Sequence, residues 1–326
     1  MRKTYDIETL IQNFKNKDKV ALAKLITLVE NEPDKALEIF KHFDNSDKDS
    51  YIIGITGSPG VGKSTLINIL AKQLLDEGKS VGVISVDPSS PFSGGAFLGD
   101  RVRMTEVSLD PNIFIRSLAS RGHGGGISRA VFDISLLYEA FGMDVIIIET
   151  VGVGQSEVDI YNLTYTTVVI MVPGYGDSIQ IQKAGIIEVG DIYVVNKKDL
   201  GGEDIVVQLE MMLDDATVQT GWRPPALMTN SISGEGIDKL VEKILEHKNH
   251  LELSEALKKK KKNRFEYKIR NLLTYKVGKV LESLISEEER EKISNSILEG
   301  GKYKIYDLVH DLFRNIKFEK KKESSK

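Results

Sequence analysis

A chain of 326 residues with 28% charged and 41% hydrophobic side chains has an ordinary globular composition, long enough for one large domain with extensions or for two domains. Its 44 Lys and Arg against 48 Asp and Glu leave a formal charge of −4, so no basic field argues for a nucleic-acid partner. There is no Cys, which excludes disulfides, thiolate metal sites and a cysteine nucleophile, and the five His read as scattered, without a close ligand pair.

The stretch MRKTYDIETLIQNFKNKDKVA is polar throughout and lacks the apolar core of a signal peptide. No apolar run approaches the ~20 residues that span a bilayer. A cytoplasmic chain with no membrane contact is the expectation. Ile7, Leu10, Ile11 and Phe14 recur at helical spacing, and Leu22, Leu25 and Ile26 continue it. Pro33 suits the first turn of a short helix reaching His42, and HFDNSDKDS reads as a linker, so residues 1–49 form a helical N-terminal extension.

From Tyr51 short β-rich runs follow one another: YIIGIT, SVGVISVD, NIFIRSL, DVIIIET, TTVVIMV, DIYVVN and PALMTN. Several are apolar without alternation, as strands buried on both faces of a parallel sheet must be. Helical stretches such as Ser64–Glu77, Gly126–Phe141 and Glu203–Thr220 separate most of them. The alternation predicts an α/β domain over residues 50–248, doubly wound around a mostly parallel sheet.

Residues 249–318 turn helical again. Phe265, Ile269, Leu272, Leu273, Val280, Leu281, Leu284 and Ile285 make one apolar stripe, and Ile305, Leu308, Val309, Leu312 and Phe313 mark a second helical stretch. This arm is too thin for its own core and should pack on the α/β domain or on another subunit. The five-lysine run Lys258–Lys262 reads as a solvated helix face, and residues 319–326 as a flexible basic tail.

Four groups of residues carry chemistry. GITGSPGVGKSTL, Gly54 to Leu66, fits G-x-x-x-x-G-K-[ST] after a predicted strand and before a predicted helix. Gly57, Ser58, Gly60, Val61 and Gly62 would curl backbone N–H groups around phosphates, and Pro59, which has no N–H, would shape the turn between them. Lys63 would add a point charge, and Ser64, followed by Thr65, a hydroxyl for Mg²⁺. Asn196-Lys197-Lys198-Asp199 ends a strand at the ligand-binding edge of the sheet. An Asp199 carboxylate accepting two N–H bonds selects guanine over adenine. Ser231 and Ile232, before Gly234-Glu-Gly236, stand where a short loop would close over the base. Asp87, Asp100 and Glu149 offer hard oxygen ligands for Mg²⁺ near Ser64. Finally, Thr150–Glu157, with Gly152, and Pro173–Ser178, followed by Gln180 and Lys183, have the character of γ-phosphate-sensing loops. Gln155 is the nearest candidate for orienting the attacking water, which sets the catalytic group as Lys63, Asp100, Glu149 and Gln155. His123, in Arg121-Gly-His-Gly-Gly-Gly126, reads as a surface-loop histidine.

VDPSSPFSGGAFLGDRVRM, IIIETVGVGQSE, the G-x-G-D…Q-x-x-K segment and TGWRPPALMTNSISGEGI together resemble the MeaB/ArgK family of P-loop GTPases, from about Ser50 to His247. The resemblance implies a SIMIBI-type G domain binding GTP/GDP and Mg²⁺. It implies a chaperone of an adenosylcobalamin-dependent acyl-CoA mutase of the methylmalonyl-CoA type, with a cobalamin adenosyltransferase as a further partner. It implies a homodimer formed largely through the C-terminal arm, a switch II at Thr150–Glu157, and an extra switch around Gly174–Lys183 that signals to the mutase. Tyr175, Ser178, Gly125, Ile127 and Ile232 depart from the family pattern. Two other readings share the fold: a metal-insertion GTPase of the nickel-chaperone kind, against which the absent Cys and sparse His count, and a lysine/arginine/ornithine transport ATPase or kinase, against which Asp199 argues.

Overall fold

The computed structural model describes residues 6–43, 49–88, 107–120, 126–150, 156–174, 189–283, 285–300, 306, 307 and 310. Seven strands form one sheet in the order β3-β2-β4-β1-β5-β6-β7. They are β1 (Tyr51–Thr56), β2 (Val81–Pro88), β3 (Ile113–Ser120), β4 (Val145–Glu149), β5 (Thr166–Met171), β6 (Ile192–Val195) and β7 (Ala226–Met228). Every pairing is parallel. The continuous apolar runs are buried on both faces: β1, β4 and β6 have no exposed residue.

The N-terminal helices belong to the same core. Helix α1 (Ile7–Lys15) is capped by the Asp6 carboxylate, which accepts from Thr9 N, and α2 (Lys19–Asn31) by Asp18, which accepts from Val20 N. The apolar face of α1 is buried at Ile7, Leu10, Ile11 and Phe14, as its spacing predicts. The short α3 (Ala36–Phe40) leads to Phe43, whose ring meets Phe14 edge-on at 5.1 Å. Phe14 meets Phe141 in the same way at 5.2 Å. Phe141 ends α5 (Gly126–Phe141), and α4 (Lys63–Asp76) precedes it in the chain. Lys19 Nζ donates to Ile113 O at 2.7 Å, and Arg116 pairs with Glu30, so α2 is also stitched to β3.

Helices α6 (Ser156–Leu163), α7 (Glu203–Thr220), α8 (Ile237–Leu253) and α9 (Ala256–Ser283) follow. One compact unit reaches Asn271 and a second begins at Leu272. Within the first unit the fully buried residues of α9 are its cations Arg264 and Lys268, while Ile269 is exposed and the half-exposed Phe265 meets the Phe132 ring edge-on at 5.9 Å. The Arg264 guanidinium lies 4.7 Å over the Phe132 ring, donates to Ser135 Oγ at 2.6 Å and pairs with Glu139 at 2.8 Å. Lys268 pairs with buried Asp133 at 2.6 Å. The expectation of a solvated lysine face holds for Lys258, Lys259 and Lys262, which are exposed, and is corrected for Lys260 and Lys261, which are half-buried. Lys260 donates to Tyr165 O at 2.7 Å and pairs with Asp191 at 3.0 Å, and Lys261 pairs with Asp49. Lys262, paired at 3.7 Å with Glu266, is a surface ion pair. In the second unit α10 (Glu287–Gly300) starts at a capping box of Ser286 and Glu289. Ile305, Leu308, Val309, Leu312 and Phe313 lie outside the described residues. Among the described residues no helix is long and apolar enough to cross a membrane.

At the amino edge of the sheet His247 is 1% exposed. Its Nδ1 is 2.8 Å from Thr166 Oγ1, its Nε2 3.4 Å from Asp191, and the Trp222 ring covers it at 4.8 Å. His247 and His250 share a helix face, with their stacked ring centroids 6.4 Å apart. Among the described residues no cluster of His or carboxylates is arranged to hold a metal. Burial lowers the His247 pKa to about 4; Asp191 opposes the shift, and Lys260 and His250 add to it. Between pH 6.5 and 4 the unfolded chain takes up a proton that the folded chain refuses, so stability falls as the pH falls through this window, by roughly 3 kcal/mol at most. Urea unfolding at pH 7, 5.5 and 4.5 should show a smaller loss for His247→Gln than for the parent. Equal slopes would exclude His247 as the source.

Candidate nucleotide site

The site is built on the carboxyl edge of the central strands. After β1 the chain turns through Gly57–Gly62 into α4. Two glycines there are sterically required. Gly57 has φ 142° and a Cβ on it would lie 2.2 Å from Ile170 O; Gly62 has φ 95° and its Cβ would meet Asn196 Nδ2 at 2.5 Å. The loop is therefore pressed against β5 and against the residue that follows β6. Ser58, Pro59 and Gly60 remain at least partly exposed, whereas Val61 is buried. Lys63 is buried, and its ammonium donates to Gly57 O at 2.8 Å and Ser58 O at 3.2 Å, across the mouth of the loop. Thr65 sits one position further along α4 and is half-buried.

Ser64 and Glu149 come together as expected. Ser64 Oγ donates to Glu149 Oε1 at 2.9 Å, and both residues are buried. The other carboxylate oxygen accepts from Ser85 Oγ at 2.8 Å. Beside them Thr150 Oγ1 bonds Thr56 Oγ1 at 3.0 Å. A buried carboxylate beside a hydroxyl at the start of α4 is a hard-oxygen set, and this chemistry fits Mg²⁺. Asp87 is the penultimate residue of β2, two positions beyond Ser85, and its backbone is paired with Ala119. Asp100, His123, Gly152 and Gln155 lie outside the described residues, as do Tyr175, Ser178, Gln180 and Lys183.

Asn196 is fully buried, and its carboxamide is the hinge of the site. Nδ2 donates to Val61 O at 2.8 Å and to Ser231 Oγ at 2.9 Å; Oδ1 accepts from Ser231 N at 3.0 Å and Thr229 Oγ1 at 3.1 Å. Both of its protons and two lone-pair positions are thus occupied by protein. Lys197, at φ 59°, sends its ammonium 3.0 Å to Gly60 O, a second tie to the phosphate loop. Asp199 is exposed on the single turn Lys198–Leu200. Asn230 Nδ2 donates to Asp199 Oδ1 at 2.9 Å, while Asn230 Oδ1 accepts from Ile232 N at 3.0 Å and Ser233 N at 3.3 Å. Ser231 is buried and Ile232 is 88% exposed. Gly236 allows the loop to close, since a Cβ there would lie 2.4 Å from Met228 O.

Two residues escaped the sequence reading. Asn230 holds both Asp199 and the loop above it; an Asn just ahead of a Ser-x-Ser-Gly turn was the available signal. Ser85 grips Glu149; its signal was a lone hydroxyl among Val83, Ile84 and Val86.

The geometry agrees with relatives. The family model "Methylmalonyl Co-A mutase-associated GTPase MeaB" matches residues 22–286. A putative GTPase of Pyrococcus horikoshii is 47% identical over 287 residues, covering 87% of this chain and 90% of its own. The mitochondrial methylmalonic aciduria type A homolog of Mus musculus is 32% identical over 324 residues, covering 91% of this chain and 77% of its own. Among solved structures, that of a LAO/AO transport system kinase superposes with a TM-score of 0.68 at 25% identity, covering 94% of this chain and 96% of that one. With a phosphate loop, an Asn-Lys-Lys-Asp turn behind it and this kinship, the chain belongs to the MeaB family of methylmalonyl-CoA mutase-associated GTPases.

Proposed function

We propose that this GTPase binds GTP with Mg²⁺, hydrolyses it, and uses the change of state to chaperone an adenosylcobalamin-dependent acyl-CoA mutase, gating cofactor loading and protecting or reactivating the enzyme. The observation that carries the nucleotide half is the coupling of the phosphate loop to the Asp199 turn through Asn196, which fixes the distance between phosphate and base subsites. The mutase half is supported by the family's description and by the mouse relative's name.

In this reading the loop amides and Lys63 hold the phosphates and offset charge on the transferring phosphoryl group. Ser64, backed by Glu149, is the protein's side of the cation site, with Asp87 and Asp100 as further carboxylates. Mg²⁺, when bound, would supply Lewis-acid neutralisation of the phosphate oxygens. Asp199 reads guanine, Asn230 orients its carboxylate, and Ser231 and Ile232 close over the base. Asn196 and Lys197 position the two loops. Gly152 and Gln155 belong to the segment that would sense the γ-phosphate and orient water. Intrinsic turnover is slow and rises when a partner completes the site.

Homodimerisation is part of the proposal. Phe265 and Ile269 in the first unit, and Leu273, Val277 and Val280 in the second, are exposed apolar side chains of the kind a second subunit covers. A cytoplasmic location and a cobalamin adenosyltransferase as an additional partner complete the reading.

Asp199→Asn should move preference from GTP toward XTP by about a hundredfold or more, measured as competing affinities; unchanged preference would reject Asp199 as the base reader. For the partner, the chain should co-purify with a cobalamin-dependent mutase in a complex whose stability differs between GDP and a non-hydrolysable GTP analogue. No nucleotide-sensitive complex with any such mutase would overturn the chaperone reading and leave the GTPase intact.

A further inference from the structure

The geometry points to Ser85 as a positioning residue for the divalent cation: its hydroxyl holds one oxygen of Glu149 and thereby fixes the other on the Ser64 hydroxyl. This rests on the reading of Ser64 and Glu149 as the protein's side of the cation site. Ser85 sits in β2 among Val83, Ile84 and Val86, all buried, and is itself 1% exposed. A hydroxyl in such a strand is costly unless it is bonded. Its bond goes to Glu149 Oε2 at 2.8 Å.

Strand pairing sets that distance. Ser85 and Glu149 are register partners in the parallel β2–β4 pair, and Ile55 of β1 is the partner of Glu149 on the other side. The contact is therefore held by sheet interior on both sides and not by a loop. Ser64 Oγ donates to Oε1 at 2.9 Å, so each oxygen of the carboxylate receives a hydroxyl proton. Rotating the carboxylate breaks both bonds together. A serine hydroxyl has one proton and two lone pairs. With its proton directed to Glu149, the Ser64 oxygen can meet a hard cation only as an acceptor, through a lone pair. Ser85 acts one step further out, by removing the rotational freedom of the carboxylate that orients Ser64.

The test uses the full chain saturated with GDP and Mn²⁺ as the spectroscopic probe of the cation site, titrated by electron paramagnetic resonance. Ser85→Ala should weaken Mn²⁺ binding about tenfold, with GDP affinity in EDTA unchanged, and Ser85→Thr, which keeps the hydroxyl, should restore it. Parent-like Mn²⁺ affinity accompanied only by a lower melting temperature would overturn the inference and leave Ser85 a satisfied core hydroxyl. Should the alanine chain not fold, Ser85→Cys, similar in size and a much weaker donor, is judged by the same two outcomes. Glu149→Gln separates the two levels: if it binds Mn²⁺ like the parent, the Ser64–Glu149 reading itself fails.

Discussion

The carboxamide of Asn196 joins segments that are distant in sequence: Val61 in the phosphate loop, Asn196 itself after β6, and Thr229 and Ser231 after β7. Burial gives it force. A buried amide that loses a partner pays the desolvation of that group, on the order of 1–3 kcal/mol each, so its four contacts stand or fall nearly together. Gly62 is the counterpart of this arrangement, because its missing side chain leaves the 2.5 Å approach that Asn196 fills. Phosphate loop and base loop are thus one cooperative object, and Lys197 adds a second strut to Gly60.

The opposite edge of the sheet is closed by charge. Arg264, Lys268 and Lys260 reach Glu139, Asp133 and Asp191, and Tyr267 donates to Asp159. Such buried pairs add little net stability compared with apolar packing, but they fix register, since removing either partner strands a charge. The helices so gripped, α5 and α6, begin directly after residues 121–125 and 151–155, the latter within the expected switch II. The first half of α9 therefore contacts, at Asp133, Glu139 and Asp159, the two helices that adjoin the expected nucleotide-sensing segments. Ile269, Leu273, Val277 and Val280 remain exposed along it.

Much of this was legible in sequence because it depends on local backbone requirements. Gly57, Gly62, Lys63 and Ser64 must occur at fixed spacing for a loop to turn into a helix around phosphates, and strands buried on both faces must read as unbroken apolar runs. Asp199 was legible for the same reason, one turn past a strand end. Asn230 was not, because its value comes from meeting Asp199 31 residues earlier in the chain. Within the lysine run Lys260 and Lys261 misled because their partners are scattered: Tyr165 and Asp191 at strand beginnings, Asp49 before β1. Helix α10 falls within the stretch expected to be helical, and Ser286 and Glu289, at the spacing of a capping box, mark its start.

The coupling through Asn196 is the claim on which the nucleotide site rests. Amide hydrogen exchange of the nucleotide-free Asn196→Ala chain measures it most directly. The account predicts that residues 57–66 and 229–236 lose protection together, while β1 and β6 keep theirs. Loss confined to 229–236, with the phosphate loop protected as in the parent, would contradict it.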